Sequence, residues 1–183
     1  MMTRIDSLSL IEAGLWQELQ IAAQQPGHEW RTMVLATIDG DEAQARSVML
    51  REVDAAAHEL LFFTDSRSAK VAQMRARPIG TLLCWSSLVG WQLRLRVQLQ
   101  VDSAGLQVSS RWARLKMTPA AQDYLSPLPP GSPVADRYAP ERASRNHFAV
   151  VTAKVLAIDW LELHADGHRR ARFGPDGAQW LQP

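Results

Sequence analysis

The stretch from residue 91 to residue 101 alternates strictly between apolar and polar side chains. Leucine or valine stands at every second position from 93 to 101, and glutamine or arginine stands between them. Period-two alternation predicts a β-strand with one face in a core and the other face toward solvent. Such a strand requires partner strands and a covered side, because a single strand cannot bury its apolar face alone.

The other segments with strand character are short and are separated by turn signals. Residues 33–38 and 44–52 flank the Asp39-Gly40 pair, which is typical of a hairpin. Further strands are expected at 59–63, 79–85, 148–163 and 169–173. Several hairpin-linked strands with few helices predict a closed antiparallel barrel, since closure removes exposed sheet edges.

Helical periodicity and proline positions define the rest of the chain. An amphipathic helix is predicted over 8–25, a second helix over 69–77 up to Pro78, and a third over 104–118. Residues 126–145 are rich in proline at their start and are predicted to be a loop, because proline cannot donate to a β-ladder. The interpretation is a single domain spanning residues 1–183.

Composition and charge exclude several classes of function. Twenty Lys and Arg balance nineteen Asp and Glu, for a net charge of +1, so neither nucleic acid nor a membrane surface is an expected partner. Cys84 is the one cysteine, and it lies in an apolar run typical of buried packing. A cytoplasmic location is expected, since no signal peptide or membrane-length apolar run is seen.

No metal site is predicted. One cysteine cannot form a zinc site, and no His-Glu-x-x-His motif occurs. His164 and His168 are four positions apart, but Asp166-Gly167 between them indicates a turn rather than a helix face.

The junction between the strand at 59–63 and the helix at 69–77 is rich in hydroxyls and positive charge. Thr64, Ser66 and Ser68 are residue types that cap helices, and Arg67 and Lys70 are basic. Unsatisfied N–H groups and the helix dipole both favour an anion at such a helix start. The junction is therefore a candidate phosphate site.

A basic residue on the preceding strand can join this site. Side-chain alternation places Arg46, Val48 and Leu50 on one face, with Met49 and Arg51 on the other. If the strand lies beside the helix start, Arg46 and Lys70 converge on one anion. The alternative reading is that these are ordinary solvated surface charges.

Three motifs in this region resemble the pyridoxamine 5'-phosphate oxidase family of FMN-binding split barrels. They are Arg46 to Arg51, where the family has Arg, an apolar run and Lys or Arg; Phe63-Thr64 followed by Ser68-Ala69-Lys70; and Trp91-Gln92. Among the branches, the chain looks most like the oxidase-related FMN-binding proteins. The resemblance covers residues 30–103 and, more weakly, 145–183, and it implies a mainly β fold with flanking helices, an antiparallel, Greek-key-like split barrel.

The resemblance also implies roles for individual residues toward FMN. Arg46, Ser68 and Lys70 correspond to the residues that hold the phosphate in the family, with Phe63 and Thr64 at the same end. The ring edge would follow Val48, Met49, Leu50 and Arg51. Gln92 would contact the flavin, and Arg172 is the candidate for the C-terminal flavin-contacting arginine. The family further implies a homodimer whose two subunits complete each flavin site.

The resemblance is incomplete where the family binds its vitamer substrate. Arg114 and Thr118 fall where the family has a phosphate-binding Arg and Ser, but Ser110 stands where a Tyr is expected. Residues 168–172 do not keep the family's Arg-x-His order. Arg170, the second choice after Arg172 for the flavin, is retained with Arg114 and Thr118 as a candidate substrate contact.

These motifs lead to the hypothesis of an FMN-dependent oxidoreductase that acts on an unidentified small molecule, rather than a strict pyridoxamine phosphate oxidase. No side chain needs to be a general base, because the flavin supplies the two-electron chemistry. Two alternatives stay open. One is an enzyme on the same fold that uses a deazaflavin, and the other is a non-catalytic protein that binds FMN or heme.

Overall fold

A computed structural model describes residues 4–134 and 146–183. The helices in these residues are α1 Leu8–Gln24, α2 Ala69–Ala76 and α3 Leu106–Leu115, with 3₁₀ turns at Glu29–Arg31 and Pro119–Tyr124. The strands are β1 Thr32–Asp39, β2 Glu42–Asp54, β3 Glu59–Asp65, β4 Ile79–Ser86, β5 Trp91–Asp102, β6 Phe148–Glu162, β7 Arg169–Gly174 and β8 Gly177–Leu181. Within the predicted loop, residues 126–134 carry neither helix nor strand, and residues 135–145 lie outside the described residues.

One extra strand pairing closes the sheet. The strand order is β3-β2-β1-β4-β5-β6-β7-β8, all neighbours are antiparallel, and β3 also pairs with β6. Strands β1 to β6 therefore form a closed ring, while β7 and β8 extend the sheet beyond it. The predicted antiparallel barrel with flanking helices is confirmed.

Strand β6 divides one of its edges between two partners. Its first half pairs with β3 up to Lys154, and its second half pairs with β7 from Ile158 onward. Its other edge follows β5 throughout, with a register shift between Arg96 and Val97. This division makes the barrel a split one. The sequence did not predict β8, because four of its five residues are exposed and no alternation marks it.

The main core fills the barrel and extends under α1. Leu35, Leu82 and Leu95 point inward from β1, β4 and β5, and Leu15 and Leu19 of α1 are fully buried. A second apolar cluster lies outside β3 and is formed by Leu61, Val108, Leu115, Tyr124, Phe148 and Val150. Strand β3 is thus covered on both faces, which explains its unbroken apolar run.

Two further features are the environment of Cys84 and the character of the described helices. Cys84 is 4% exposed, as predicted for a packing residue, and burial raises the pKa of its thiol. Across the described residues, no helix combines the length and apolar character that crossing a bilayer requires.

A buried carboxylate ties the N-terminal segment to the C-terminal hairpin. Glu162 at the end of β6 is 5% exposed and accepts hydrogen bonds from Arg4 and Arg169 at 2.8 Å and from the Trp91 indole at 3.2 Å. Burial acts to raise the pKa of Glu162, but the hydrogen bonds from Arg169, Arg4 and Trp91 outweigh it and lower the pKa from 4.5 to about 2. The ionised carboxylate therefore stabilises this junction.

Replacing Glu162 by Gln should lower the free energy of unfolding at pH 7 by about 3 kcal/mol, since two arginines lose a buried partner. A carboxyl whose pKa is lowered on folding stabilises the protein above its unfolded pKa, and this contribution is lost as pH falls from 4.5 toward 2. The difference between wild type and E162Q should therefore narrow over that range in urea denaturation at a series of pH values.

The matched control is Glu59→Gln, because Glu59 makes only a 4.0 Å surface pair with Lys154. A wild-type-to-E162Q difference that stays constant down to pH 2 would contradict this account of Glu162.

Candidate functional site

Arg46 lies on β2 with its guanidinium turned toward β1 and α2. Nη1 donates to the Thr37 hydroxyl and to the Gln44 carbonyl at 3.2 Å, with the Leu35 carbonyl at 3.4 Å. Nη2 donates to Oε1 of Gln73 at 2.8 Å. Burial lowers the pKa of Arg46, and the group nevertheless stays charged because arginine is so basic.

Lys70 reaches the same region from the first turn of α2. Its Nζ donates to the hydroxyls of Thr64 at 3.0 Å and Ser68 at 3.3 Å. Burial lowers the pKa of Lys70, and the positive charge of Arg46 lowers it further. The two cations lie in the same region, because Arg46 donates to Gln73, which follows Lys70 by three residues on α2. The structure thus brings together four residues of the predicted phosphate site: Arg46, Thr64, Ser68 and Lys70.

Asp65, whose negative charge acts to raise the pKa of Lys70, forms its ion pair with a different residue. Asp65 is 6% exposed and forms an ion pair of 2.7 Å with Arg67, which also donates to the Ser126 carbonyl at 2.9 Å. The guanidinium of Arg67 is therefore held by Asp65 and by the 126–128 backbone carbonyls, and it is less available to an anion than Arg46 or Lys70. Among the described residues, neither Arg46 nor Lys70 has an ion-pair partner.

The start of α2 adds unsatisfied donors to this positive site. Ser68 is the N-cap residue, but its hydroxyl donates backward to the Asp65 carbonyl at 2.8 Å and caps no helix N–H. The first-turn N–H groups of α2 therefore have no capping side chain, and they add to the attraction for an anion. Two cations that have no ion-pair partner among the described residues, beside a helix start without a side-chain cap, make this region a candidate anion-binding site.

A second part of the site is a basic pocket of about 270 Å³ on the barrel wall beside β2. It brings together four of the predicted residues, Arg51, Phe63, Arg114 and Thr118. The Arg51 guanidinium lies 5.6 Å from the centroid of the Phe63 ring. Predicted cofactor residues and predicted substrate residues therefore share one cavity.

A β-bulge shapes this basic pocket. The pairing of β2 with β3 shifts between Leu50 and Glu52, and both Arg51 and Glu52 line the pocket although they are adjacent in sequence. Bulges re-aim side chains in this way. Glu52 accepts from Arg111 at 2.9 and 2.6 Å, and Arg31 completes the wall. Four arginines against one carboxylate leave the pocket positive, which suits an anionic small molecule.

Sequence reasoning missed Arg31, Glu52 and Arg111 as pocket residues. Arg111 could have been found, because it lies three positions before Arg114 on α3 and residues three apart share a helix face. Arg31 and Glu52 carried no such signal, since a 3₁₀ turn and a bulge set their directions.

The predicted ring-edge residues differ in what they can offer a ligand. The side chains of Val48 and Leu50 are 8% and 2% exposed and belong to the barrel core. Only their backbone groups are available to a ligand. Met49 is 41% exposed on the opposite face of β2.

Gln92, Arg170 and Arg172 lie on the outer face of the sheet. Gln92 and Arg170 flank Leu161 in one row across β5, β6 and β7, and Arg172 pairs with Asp159 in the next row. Arg170 forms an ion pair with Asp159 at 2.7 Å, so it is already occupied within the chain. Burial acts to raise the pKa of Asp159, but hydrogen bonds from Arg170 and Arg94 lower it on balance.

Arg172 lines a separate cavity of 340 Å³ together with Arg94, Arg96 and Asp159. That cavity shares no lining residue with the basic pocket beside β2. A single chain therefore does not bring Arg172 or Arg170 to the pocket that contains Arg51 and Arg114.

Comparison with known proteins identifies relatives of this chain. Residues 13–103 match the family described as pyridoxamine 5'-phosphate oxidase, FMN-binding domain. The chain is 30% identical to a pyridoxine/pyridoxamine 5'-phosphate oxidase of Granulibacter bethesdensis over 91% of this chain and 85% of that protein. It is 28% identical to the enzyme of the same name from Pseudomonas syringae pv. tomato over 55% of this chain and 46% of that protein.

Solved structures show the same fold at lower identity. A pyridoxamine 5'-phosphate oxidase-related, FMN-binding protein of Nostoc punctiforme aligns with a TM-score of 0.72 at 20% identity, over 93% of this chain and 96% of that one. PhzG of Burkholderia lata, in complex with tetrahydrophenazine-1-carboxylic acid, aligns with a TM-score of 0.76 at 17% identity, over 100% and 99%. The predicted split-barrel fold is confirmed.

Inorganic phosphate should stabilise this protein against heat through Arg46 and Lys70. At a concentration of ten times its Kd, phosphate would add about 1.4 kcal/mol to the free energy of unfolding. This corresponds to a rise in Tm of roughly 3–6 °C for a chain of this size. A lysine with a lowered pKa loses its proton below the ordinary 10.5, so the rise should shrink as pH increases toward that value. Calorimetry in phosphate and chloride at equal ionic strength measures this.

Lys70→Met should abolish most of the rise in Tm that phosphate causes. The control is Arg75→Ala, which removes one exposed charge from the same helix and should leave this rise unchanged. An undiminished rise in K70M would place the anion elsewhere.

Proposed function

The chain belongs to the pyridoxamine 5'-phosphate oxidase family of FMN-binding proteins, and on this premise we propose that it binds FMN and acts as an oxidoreductase on a small anionic molecule. The observation that carries the proposal is the pair Arg46 and Lys70, two neighbouring cations without a carboxylate partner among the described residues. A phosphate group supplies the missing negative charge. FMN differs from riboflavin by that group.

The residues present fit the phosphate end of FMN. Arg46 and Lys70 would contribute charged hydrogen bonds, and Ser68 and Thr64 position the Lys70 ammonium through their hydroxyls. The free amides at the start of α2 add donors of the kind that phosphate groups find at helix termini. Solvated surface charge is a weaker explanation, because Thr64 and Ser68 are 4% and 6% exposed.

The same strand leads from the phosphate end to the basic pocket. Five residue steps along β2 separate Arg46 from Arg51, which corresponds to about 17 Å in extended backbone. The backbone of Val48 to Leu50 lies between them. An elongated ligand with its phosphate at Arg46 would therefore place its other end near Arg51 and the pocket that also contains Arg114.

When bound, FMN supplies the two-electron chemistry, and the chain's own residues bind and orient the reactants. Arg51 is fixed against the Phe63 ring and presents positive charge at the pocket. Arg114, whose side chain is 73% exposed, and Thr118 are placed to hold an anionic group. This agrees with the relatives, whose names and complexes include a phosphate ester and a carboxylic acid.

Pyridoxamine phosphate itself is not the proposed substrate. Ser110 replaces the expected Tyr, and Arg170 is held by Asp159 rather than directed into the pocket. The proposed substrate class is therefore a small anion. The occupied Arg170 also favours a second candidate, a protein that binds FMN without turnover.

A homodimer is part of the proposal. Gln92 and Arg172 share the outer sheet face with Met49, Val34 and Trp85, which are 41%, 38% and 42% exposed. A second copy packed on this face would cover the apolar side chains and bring Gln92 and Arg172 to the partner's flavin. Sedimentation equilibrium of the flavin-loaded protein measures the mass. A cytoplasmic location is also proposed, on the sequence alone.

The double variant Arg46→Ala/Lys70→Ala should raise the Kd for FMN by about two to four orders of magnitude, because each charged hydrogen bond contributes roughly 1.5–3 kcal/mol. Fluorescence titration of the apoprotein with FMN measures this. The control is Arg75→Ala/Arg77→Ala, which removes the same charge from exposed positions near the end of α2. Near-normal binding in the Arg46/Lys70 variant would move the phosphate site elsewhere, and wild type that takes up no FMN would refute the function.

Turnover separates an oxidoreductase from a passive binder. The FMN-loaded protein should be reduced by a small anionic reductant and reoxidised by oxygen over repeated cycles, followed by flavin absorbance. Arg114→Ala should raise KM about ten-fold or more without releasing FMN, since it removes a charged contact to the substrate and, within the chain, only a 4.0 Å pair with Glu52. Stable FMN binding without any turnover across a panel of such reductants would favour the binder.

A further inference from the structure

Gln73 occupies the centre of a hydrogen-bond ring beneath the proposed phosphate site. Its Oε1 accepts from the Thr37 hydroxyl at 2.7 Å and from Nη2 of Arg46 at 2.8 Å. The Thr37 oxygen in turn accepts from Nη1 of Arg46, which closes the ring. The amide nitrogen of Gln73 donates to Asp39 at 3.0 Å, so both ends of the side chain are held.

The ring uses one side of the Arg46 guanidinium and leaves the other side free. A guanidinium has five N–H donors. The two on Nη1 are taken by Thr37 and by the Gln44 or Leu35 carbonyl, and one on Nη2 is taken by Gln73. In the part of the chain that the structure describes, Nε–H and the second N–H of Nη2 have no acceptor. These two donors lie on one edge, where they can bind two oxygens of a phosphate side by side.

The chemistry of glutamine suits this position. Gln73 is 6% exposed and Thr37 is 2% exposed, so the groups that orient Arg46 are shielded from water. A carboxylate here would neutralise Arg46 and compete with an anion, and an apolar side chain would leave the guanidinium unfixed. The neutral amide orients the cation and keeps its charge. Gln73 also lies three residues after Lys70 on α2, so one helix sets both cations.

We propose that Gln73 is a positioning residue that holds Arg46 with its Nε–Nη2 edge toward the phosphate, and thereby determines the preference for FMN over riboflavin. The inference rests on the proposed FMN binding. No direct contact between Gln73 and the ligand is required, because its Oε1 is already saturated by Thr37 and Arg46.

The test compares Kd values for FMN and riboflavin in the full-length apoprotein. Gln73→Met keeps the length of the side chain and removes its hydrogen bonds. It should weaken FMN binding about ten-fold or more and change riboflavin binding less than two-fold, since riboflavin has no phosphate for Arg46 to bind. A general loosening of the fold would weaken the binding of both ligands equally. The ratio of the two Kd values therefore distinguishes a positioning role from a structural one.

The matched control is Val71→Ala on the same helix. Val71 is 1% exposed and does not contact Arg46, so this change should lower the Tm while leaving the Kd ratio at its wild-type value. Arg46→Ala provides the reference for complete loss of the arginine contribution, and Q73M should reproduce much of that loss of preference for FMN over riboflavin.

Gln73→Glu keeps the acceptor oxygen that Thr37 and Arg46 use, replaces the N–H donor to Asp39 by a second oxygen, and tests the charge argument if Q73M does not fold. It should retain the orientation of Arg46 but lower FMN affinity selectively, because a carboxylate competes with the phosphate. An unchanged ratio of the FMN and riboflavin Kd values in Q73M would overturn the role of Gln73, provided that Arg46→Ala still loses the preference for FMN. If Q73M is unfolded, the same result in Q73E would overturn it. Wild type that binds both ligands equally, or neither, would overturn the phosphate site and the role of Gln73 together.

Discussion

The pairing of β3 with β6 is the constraint on which the site depends. It closes the barrel, and its last rung joins Asp65 to Phe148, just before the chain turns into α2. The Ser66 amide continues the connection by donating to the His147 carbonyl at 2.7 Å. Because this turn is fixed on both sides, the start of α2 has one position, and Lys70 meets Arg46 there. Without closure, the pairing of β2 with β3 alone would relate the strand of Arg46 to the start of α2.

Bringing two cations together costs stability, and the surrounding groups limit that cost without removing the charge. Burial and repulsion both lower the pKa of Lys70. The hydroxyls of Thr64 and Ser68 and the amide of Gln73 satisfy hydrogen bonds around the cations, yet all of them are neutral. Asp65, the carboxylate that could have compensated, is held by Arg67 instead. Such an arrangement is typical of a binding site whose ligand completes the charge balance.

Local patterns account for much of the fold and for half of the site. The alternation in 91–101 predicted β5, and the Asp39-Gly40 turn predicted the β1–β2 hairpin, because both signals depend on neighbours in the chain. Arg46 and Lys70 were found from residue type and family resemblance. The β8 strand and the bulge after Leu50 were not predicted, since each depends on a partner strand that sequence spacing does not reveal. The pairing of Arg67 with Asp65 was not predicted either, although the two residues are only two positions apart.

The sequence by itself determined which residues carry charge, which faces are apolar and where a helix can begin, because these properties are set by side-chain chemistry and short-range periodicity. Only the tertiary structure decided which charges remain without a partner. Arg67 pairs with Asp65, only two positions before it in the same turn, whereas Arg46 on β2 donates to the neutral amide of Gln73 on α2, 27 positions away. Coulomb energy depends on distance, and the distance between β2 and α2 is set by the fold and not by sequence spacing.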